Sequence, residues 1–197
     1  MRVKICGITN LQDGIDAINA GADAIGFVFY SKSPRYIEPL KAKEIVDSLA
    51  PFVQTVGLFV NEDEDFINEV CYKSKMQLAQ IIDDNEILNY DLLQTKYVKV
   101  LRVKSQEDLK NLNSDYYLVD AFVEGFGGEG KRVALEWFEH MDCSKFILAG
   151  GLTSNNLKEI DGYGFYGVDV SSGVEESKGK KSKQKMIDFV KEANEIA

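Results

Sequence analysis

The chain has 197 residues, 45% apolar and 28% charged, the balance of a globular protein long enough to bury one sizeable core. Its net charge of −9 argues against non-specific nucleic-acid binding, although a local pocket can still attract a small anion. Three cysteines (Cys6, Cys71, Cys143) give no disulfide framework, one histidine (His140) cannot build a histidine-rich metal site, and no apolar run or leader-like start suggests a membrane partner, so a cytoplasmic protein is expected.

The predicted elements alternate along the chain. A strand over Arg2–Cys6 leads to a helix with Leu11, Ile15 and Ile18 on one face, Thr9 or Asn10 as N-cap and Gly21 as the stop. A strand over Ala24–Phe29 precedes a helix entered through Pro39, with Ala42, Ile45, Val46 and Leu49 as its apolar stripe. Val53–Val60 is the third strand, and Phe66, Ile67, Val70 and Cys71 mark the third helix. Strands then follow at Leu78–Ile82, Tyr97–Val103, Tyr116–Asp120, Phe146–Ala149 and Gly167–Ser171, separated by shorter helical patterns near 86–93, 105–112, 133–140 and 154–160. The Lys178–Lys183 charge run reads as a solvated loop, and Met186, Phe189, Val190 and Ala193 mark a last helix.

Several strands are near-continuous apolar runs, as parallel strands covered on both faces require. Eight strands with about eight helices, roughly 25 residues per unit, predict a compact α/β protein, a single-domain (β/α)8 TIM barrel over residues 1–197. A doubly wound open sheet is the alternative, and regular repetition without a long insertion favours closure. In a barrel, chemistry sits at the C-terminal ends of the strands and in the loops beyond them.

Several ionisable side chains fall there. Alternation puts Lys4 and Cys6 on the inner face of the first strand and Val3 and Ile5 on the outer. A lone strand cysteine is ordinarily an inert small hydrophobe, but at the mouth, beside the Lys4 ammonium, Cys6 could act as a thiolate base. Asp120 ends the sixth strand as an ionisable group at the mouth, with a helix cap or a structural carboxylate as the alternative. Asp169 and Ser171 face inward on the eighth strand, where Asp169 and Lys4 could form a buried ion pair. Arg35, in the loop after the second strand, could hold a carboxylate through its planar fork, or be an ordinary surface arginine.

Three glycine-rich turns follow late strands: Gly125–Lys131, Gly150–Thr153 and Ser171–Glu175. Glycine lets backbone N–H groups approach a phosphate closely, and barrels often bind phosphate after strands 7 and 8. The first turn alone is weak, whereas the tandem second and third are a moderately specific phosphate signal.

These segments together resemble the phosphoribosylanthranilate isomerase family over nearly the whole chain. The resemblance rests on Lys4–Thr9, Gly21–Phe29, Ser33–Tyr36, Val56–Asn61, Leu148–Thr153 and Gly167–Glu175, six pieces in the right order. It implies an Amadori rearrangement of N-(5′-phosphoribosyl)anthranilate to the 1-deoxyribulose 5-phosphate derivative, a step of tryptophan biosynthesis, with no metal or redox cofactor. By matching motifs Cys6 would be the base and Asp120 the acid, and Arg35 would hold the anthranilate carboxylate. The backbone around Gly128, Gly150, Gly151, Ser172 and Gly173 would cradle the phosphate, with Lys4 and Asp169 also placed toward the substrate. The partner implied is this small phosphorylated substrate, to a monomer or homodimer.

One segment departs from the family pattern: after the fourth strand a His-Gly pair is usual, whereas here the chain reads Gln80-Ile81-Ile82-Asp83-Asp84-Asn85. A changed fourth loop is expected, with activity retained. Other barrel enzymes fit less well. Ribulose-phosphate epimerases need metal-binding histidines, indole-3-glycerol-phosphate synthase has an N-terminal extension, and triosephosphate isomerase needs a histidine at the mouth. A phosphate-binding barrel without turnover is the competing class.

Overall fold

The computed structural model describes residues 1–113, 115–123 and 131–196. Eight parallel strands close into a barrel in sequence order: β1 (Arg2–Ile5), β2 (Ala24–Val28), β3 (Gln54–Val60), β4 (Leu78–Ile82), β5 (Tyr97–Val103), β6 (Tyr117–Ala121), β7 (Phe146–Leu148) and β8 (Gly167–Val170). Closure comes from β1 pairing with β8, in a register that sets Lys4 directly beside Asp169. The expected strands are all present, β4 and β5 with the expected bounds and the others with ends shifted by a residue. Cys6 lies just past β1, and its N–H still donates to the Val170 carbonyl at 2.8 Å.

The helical shell is uneven. Among the described residues the α-helices are α1 (Leu11–Ala20), α2 (Pro39–Asp47), α3 (Glu64–Ser74) and α4 (Lys183–Glu195). Asn10 caps α1 by accepting from the Asp13 N–H, and Gly21 ends it at φ 99°. Pro39 opens α2, where a missing N–H costs nothing, and Asp63 caps α3 through the Phe66 N–H. The four shorter helices expected between the fourth and eighth strands are single 3-10 turns: Tyr90–Leu92, Gln106–Leu109, Leu135–Phe138 and Leu157–Ile160. Each is three or four residues long, so each supplies at most two buried anchors to the core: Leu109, Phe138, and Leu157 with Ile160 in the later three, and none in Tyr90–Leu92. His140, expected in a helix, stands at φ 66° just beyond the third of these turns.

Alternation divides the apolar residues into two bodies. The larger lies between strands and helices, with Val3, Ile5, Ile25, Phe27, Phe59 and Phe189 among its members. A smaller cluster of Val98, Leu118 and Ala149, with Leu78, Val100 and Ile147 against it, fills the barrel interior. It leaves the polar inner residues at the C-terminal end of the strands. No helix among the described residues is long and apolar enough to cross a membrane.

The Lys178–Lys183 segment is not the solvated loop expected from its charge. Glu175–Ser177 (β9) and Lys180–Lys181 (β10) pair antiparallel as a small hairpin after β8, and Lys181 points inward with no exposed side-chain surface. Lys178, Lys180 and Lys183 remain exposed.

Candidate active site

A pocket opens at the C-terminal end of the barrel, and its ionisable or amide-bearing walls include Cys6, Arg35, Gln80, Arg102, Asp120 and Asp169. Strand alternation explains most of them. Gln80, Arg102 and Asp120 share the inward phase with Leu78, Val100 and Leu118.

Asp120 sits on β6 opposite Arg102 of β5. Its Oδ1 accepts the Ala121 N–H at 2.8 Å. Burial pushes its carboxyl up to about 6, and the Asp169 charge adds to the rise. The Ala121 N–H opposes it, and the Arg102 charge opposes it least. The Arg102 guanidinium bonds Asp84 and the Val123 carbonyl and lies over the Phe122 ring at 4.7 Å. Asp84 belongs to the fourth loop, so that loop reaches Asp120 through Arg102.

Across the pocket, Lys4 Nζ donates to Asp169 Oδ1 at 2.7 Å in a buried pair, as their side-by-side register dictates. Burial pulls the Lys4 ammonium down, but the Asp169 carboxylate and the Cys6 sulfur more than offset it and the net shift is upward. Asp169 and Cys6 line the pocket, and Lys4, outside the lining, interacts with both. Gly26 makes this arrangement possible: a Cβ there would stand 2.8 Å from Cys6 Sγ and 3.0 Å from Lys4 Nζ. Burial pushes Cys71 and Cys143 each up to about 11, so both remain thiols near neutrality.

The two late glycine turns meet at the same mouth. Gly150, at φ 89°, is held where a Cβ would fall 2.6 Å from Asp120 Oδ1 and 2.8 Å from the Lys131 carbonyl. Gly173 lies so close to the Leu152 carbonyl that a Cβ would be 1.9 Å from it, which seats the β8 turn on the β7 turn. Gly150, Gly151, Ser172 and Gly173 therefore border one pocket, with Ser172 opening a 3-10 turn, Ser172–Val174. Gly128 lies outside the described residues.

Arg35 is buried at the pocket wall and held edge-on by Glu175, with Nε to Oε1 at 2.7 Å and Nη2 to Oε2 at 2.9 Å. Burial raises the Glu175 carboxyl, but Arg35 and Lys181 outweigh it and hold the group below its ordinary value.

Sequence reasoning missed Gln80, Arg102, Glu175 and Lys181. The first two carried a readable signal, a polar residue in the inward phase of an otherwise apolar strand. Gln80 is 3% exposed, and its Oε1 has no hydrogen-bond partner among the described residues. Glu175 and Lys181 carried little signal, because charge alone does not separate a buried lysine from its exposed neighbours.

Comparison with known proteins agrees with this geometry. Residues 3–192 match the family N-(5'phosphoribosyl)anthranilate (PRA) isomerase. A relative from a Nitratiruptor species, named N-(5'-phosphoribosyl)anthranilate isomerase, is 58% identical over 193 residues, covering 98% of each chain. The crystal structure of phosphoribosyl anthranilate isomerase from Thermotoga maritima superposes with a TM-score of 0.86 at 35% identity, covering 100% of both chains. A phosphoribosyl anthranilate isomerase in complex with reduced 1-(o-carboxyphenylamino)-1-deoxyribulose 5-phosphate superposes with a TM-score of 0.82 at 34% identity, again over 100% of both chains. The chain belongs to the N-(5'-phosphoribosyl)anthranilate isomerase family.

Proposed function

We infer that this protein isomerises N-(5′-phosphoribosyl)anthranilate to 1-(2-carboxyphenylamino)-1-deoxyribulose 5-phosphate, with Asp120 as general acid and Cys6 as general base. The aldose–ketose reaction is that of the family. The observation that carries the residue roles is a desolvated carboxyl and a thiol beside an ammonium, both lining one pocket.

Protonated Asp120 gives its proton to the ribose ring oxygen as the C1′–O4′ bond breaks, and the anilino nitrogen lone pair forms the Schiff base. A carboxyl held near 6 is well matched to this role, since an acid works best when its pKa lies close to the operating pH. Cys6, as thiolate, then removes the proton at C2′ to give the enolamine, with the Lys4 ammonium beside it. The enolamine ketonises as its C2′ hydroxyl loses a proton and C1′ gains one. Every step is a proton transfer or an electron-pair shift within the substrate.

The backbone of Gly150, Gly151, Ser172 and Gly173 forms the phosphate cradle in this reading, and Arg35 takes the anthranilate carboxylate. The reduced analogue bound to the related isomerase carries both of those groups, which supports the assignment. Loss of anthranilate-type fluorescence from freshly generated substrate tests the reaction. Wild type is expected to accelerate it, and Cys6→Ala to lose most of that acceleration while keeping its circular dichroism. A folded wild type that gives no acceleration overturns the function, and an active Cys6→Ala overturns the base.

A further inference from the structure

The proton-transfer scheme leaves the β9–β10 hairpin unused, yet the hairpin holds two of the most deeply buried charges in the molecule. Lys181 Nζ donates to Glu175 Oε1 at 3.0 Å, to the Ser171 carbonyl at 3.1 Å and to Ser171 Oγ at 3.3 Å. Its backbone N–H donates to Asp13 Oδ2 of α1 at 2.8 Å. Thr9 Oγ1 donates to the Gly179 carbonyl at 2.6 Å, tying the hairpin tip to the loop after β1. Lys185 Nζ of α4 donates to the Glu175 carbonyl at 2.7 Å. The hairpin is thus fixed to α1, α4 and the loops after β1 and β8, and what it offers the pocket is Arg35.

We propose that Glu175 and Lys181 are positioning residues that hold Arg35 with its outer Nη1–Nη2 edge toward the pocket, and so set selectivity for a substrate whose aromatic ring bears a carboxylate. The proposal rests on the reading that Arg35 receives that carboxylate. A guanidinium has five N–H donors arranged in a planar fork. Glu175 occupies the Nε–Nη2 edge, which leaves the terminal edge as the one able to take a second carboxylate in bidentate fashion. Glu175 Oε1 is itself shared by Arg35 and Lys181. Swinging Arg35 away would take from the buried Glu175 Oε2 the donor it has in Arg35 Nη2, leaving a buried carboxylate oxygen unsatisfied, a costly change. The stem of Arg35 is fixed too, because the loop after β1 crosses it at Gly7, where a Cβ would be 2.7 Å from Arg35 Cδ. Lys181 and Glu175 need not touch the substrate. They act by denying Arg35 other orientations.

The test uses reduced 1-(o-carboxyphenylamino)-1-deoxyribulose 5-phosphate and the same compound without its ring carboxylate, each titrated calorimetrically into wild type, Glu175→Gln, Lys181→Met and Lys181→Arg. Wild type is expected to prefer the carboxylate compound by ten- to a hundredfold, the range of a charged hydrogen-bonded contact. Glu175→Gln and Lys181→Met should lose roughly tenfold of that preference by weaker binding of the carboxylate compound alone, and Lys181→Arg should recover part of it. With true substrate the loss should appear in KM more than in kcat. Equal weakening toward both compounds, an unchanged preference, or tighter binding of the carboxylate compound by Glu175→Gln overturns the proposal while leaving the isomerase reading intact. Wild type that binds neither compound overturns that reading. Should Lys181→Met fail to fold, Glu175→Gln and Lys181→Arg decide the matter alone.

Discussion

The two sides of the barrel mouth handle charge in opposite ways. At the β1–β8 seam, cations meet carboxylates in register or through the hairpin: Lys4 with Asp169, and Arg35 and Lys181 with Glu175. At the β5–β6 side, Asp120 is half-buried with an arginine beside it, but that arginine is bonded to Asp84 and the Val123 carbonyl, and its charge is the least of the influences on Asp120. Pairing fixes a charge and makes it part of the scaffold. Desolvation with weak compensation leaves a carboxyl that keeps its proton up to about pH 6 and can transfer it.

Substitutions can break or sharpen this contrast. The largest effect is expected from Asp120→Asn, which should cut kcat by ~10²–10⁴-fold, the usual worth of a positioned acid. Next comes Lys4→Met, which strands the buried Asp169 charge and should cost roughly 3–5 kcal/mol in urea unfolding. Asp120→Asn should also have an opposite, smaller consequence for stability. The folded carboxyl holds its proton up to about 6, against an ordinary value of 3.8. Its contribution is therefore fully present below pH 3.8 and is lost as pH rises through about 6. The neutral asparagine escapes that loss, so the variant should gain about 2 kcal/mol on wild type at pH 8 relative to the difference at pH 4. Urea denaturation at both pH values checks it, and a pH-independent difference would contradict the buried-acid description.

The smallest effect is the most specific. Asp84→Asn removes the anion that engages Arg102, leaving more positive field for ionised Asp120. The pH above which kcat declines for want of a protonated acid should then move down by about half a unit. An upward shift, or none, would mean that Arg102 does not connect the fourth loop to the acid.

The strands were legible because buried parallel strands are long apolar runs, and each was located to within a residue or so. Inward alternation then brought Cys6, Asp120 and Asp169 to one pocket from positions far apart in sequence. The helices between β4 and β8 were not legible in the same way. A turn such as Tyr90–Leu92 is too short to express a 3.6-residue period, so apolar residues near it suggested a longer helix than exists. Arg35 illustrates a second limit. Its partner Glu175 lies 140 residues away, and only barrel closure and the hairpin bring them together. Lys181 illustrates a third, since one buried lysine within a run of lysines has no local mark.

The tight contact at Gly26 gives the pocket an order of change. Sulfur and ammonium already occupy the space a side chain there would claim, so substitutions at positions 26, 6 and 4 cannot be accepted independently. A lineage or a designer wishing to enlarge residue 26 must first make room at both Cys6 and Lys4, whose atoms a Cβ there would meet. The reverse path, a bulkier base at position 6, has no spare room opposite it to grow into. That tight contact makes Gly26 a lock on which chemistries this mouth can reach one step at a time.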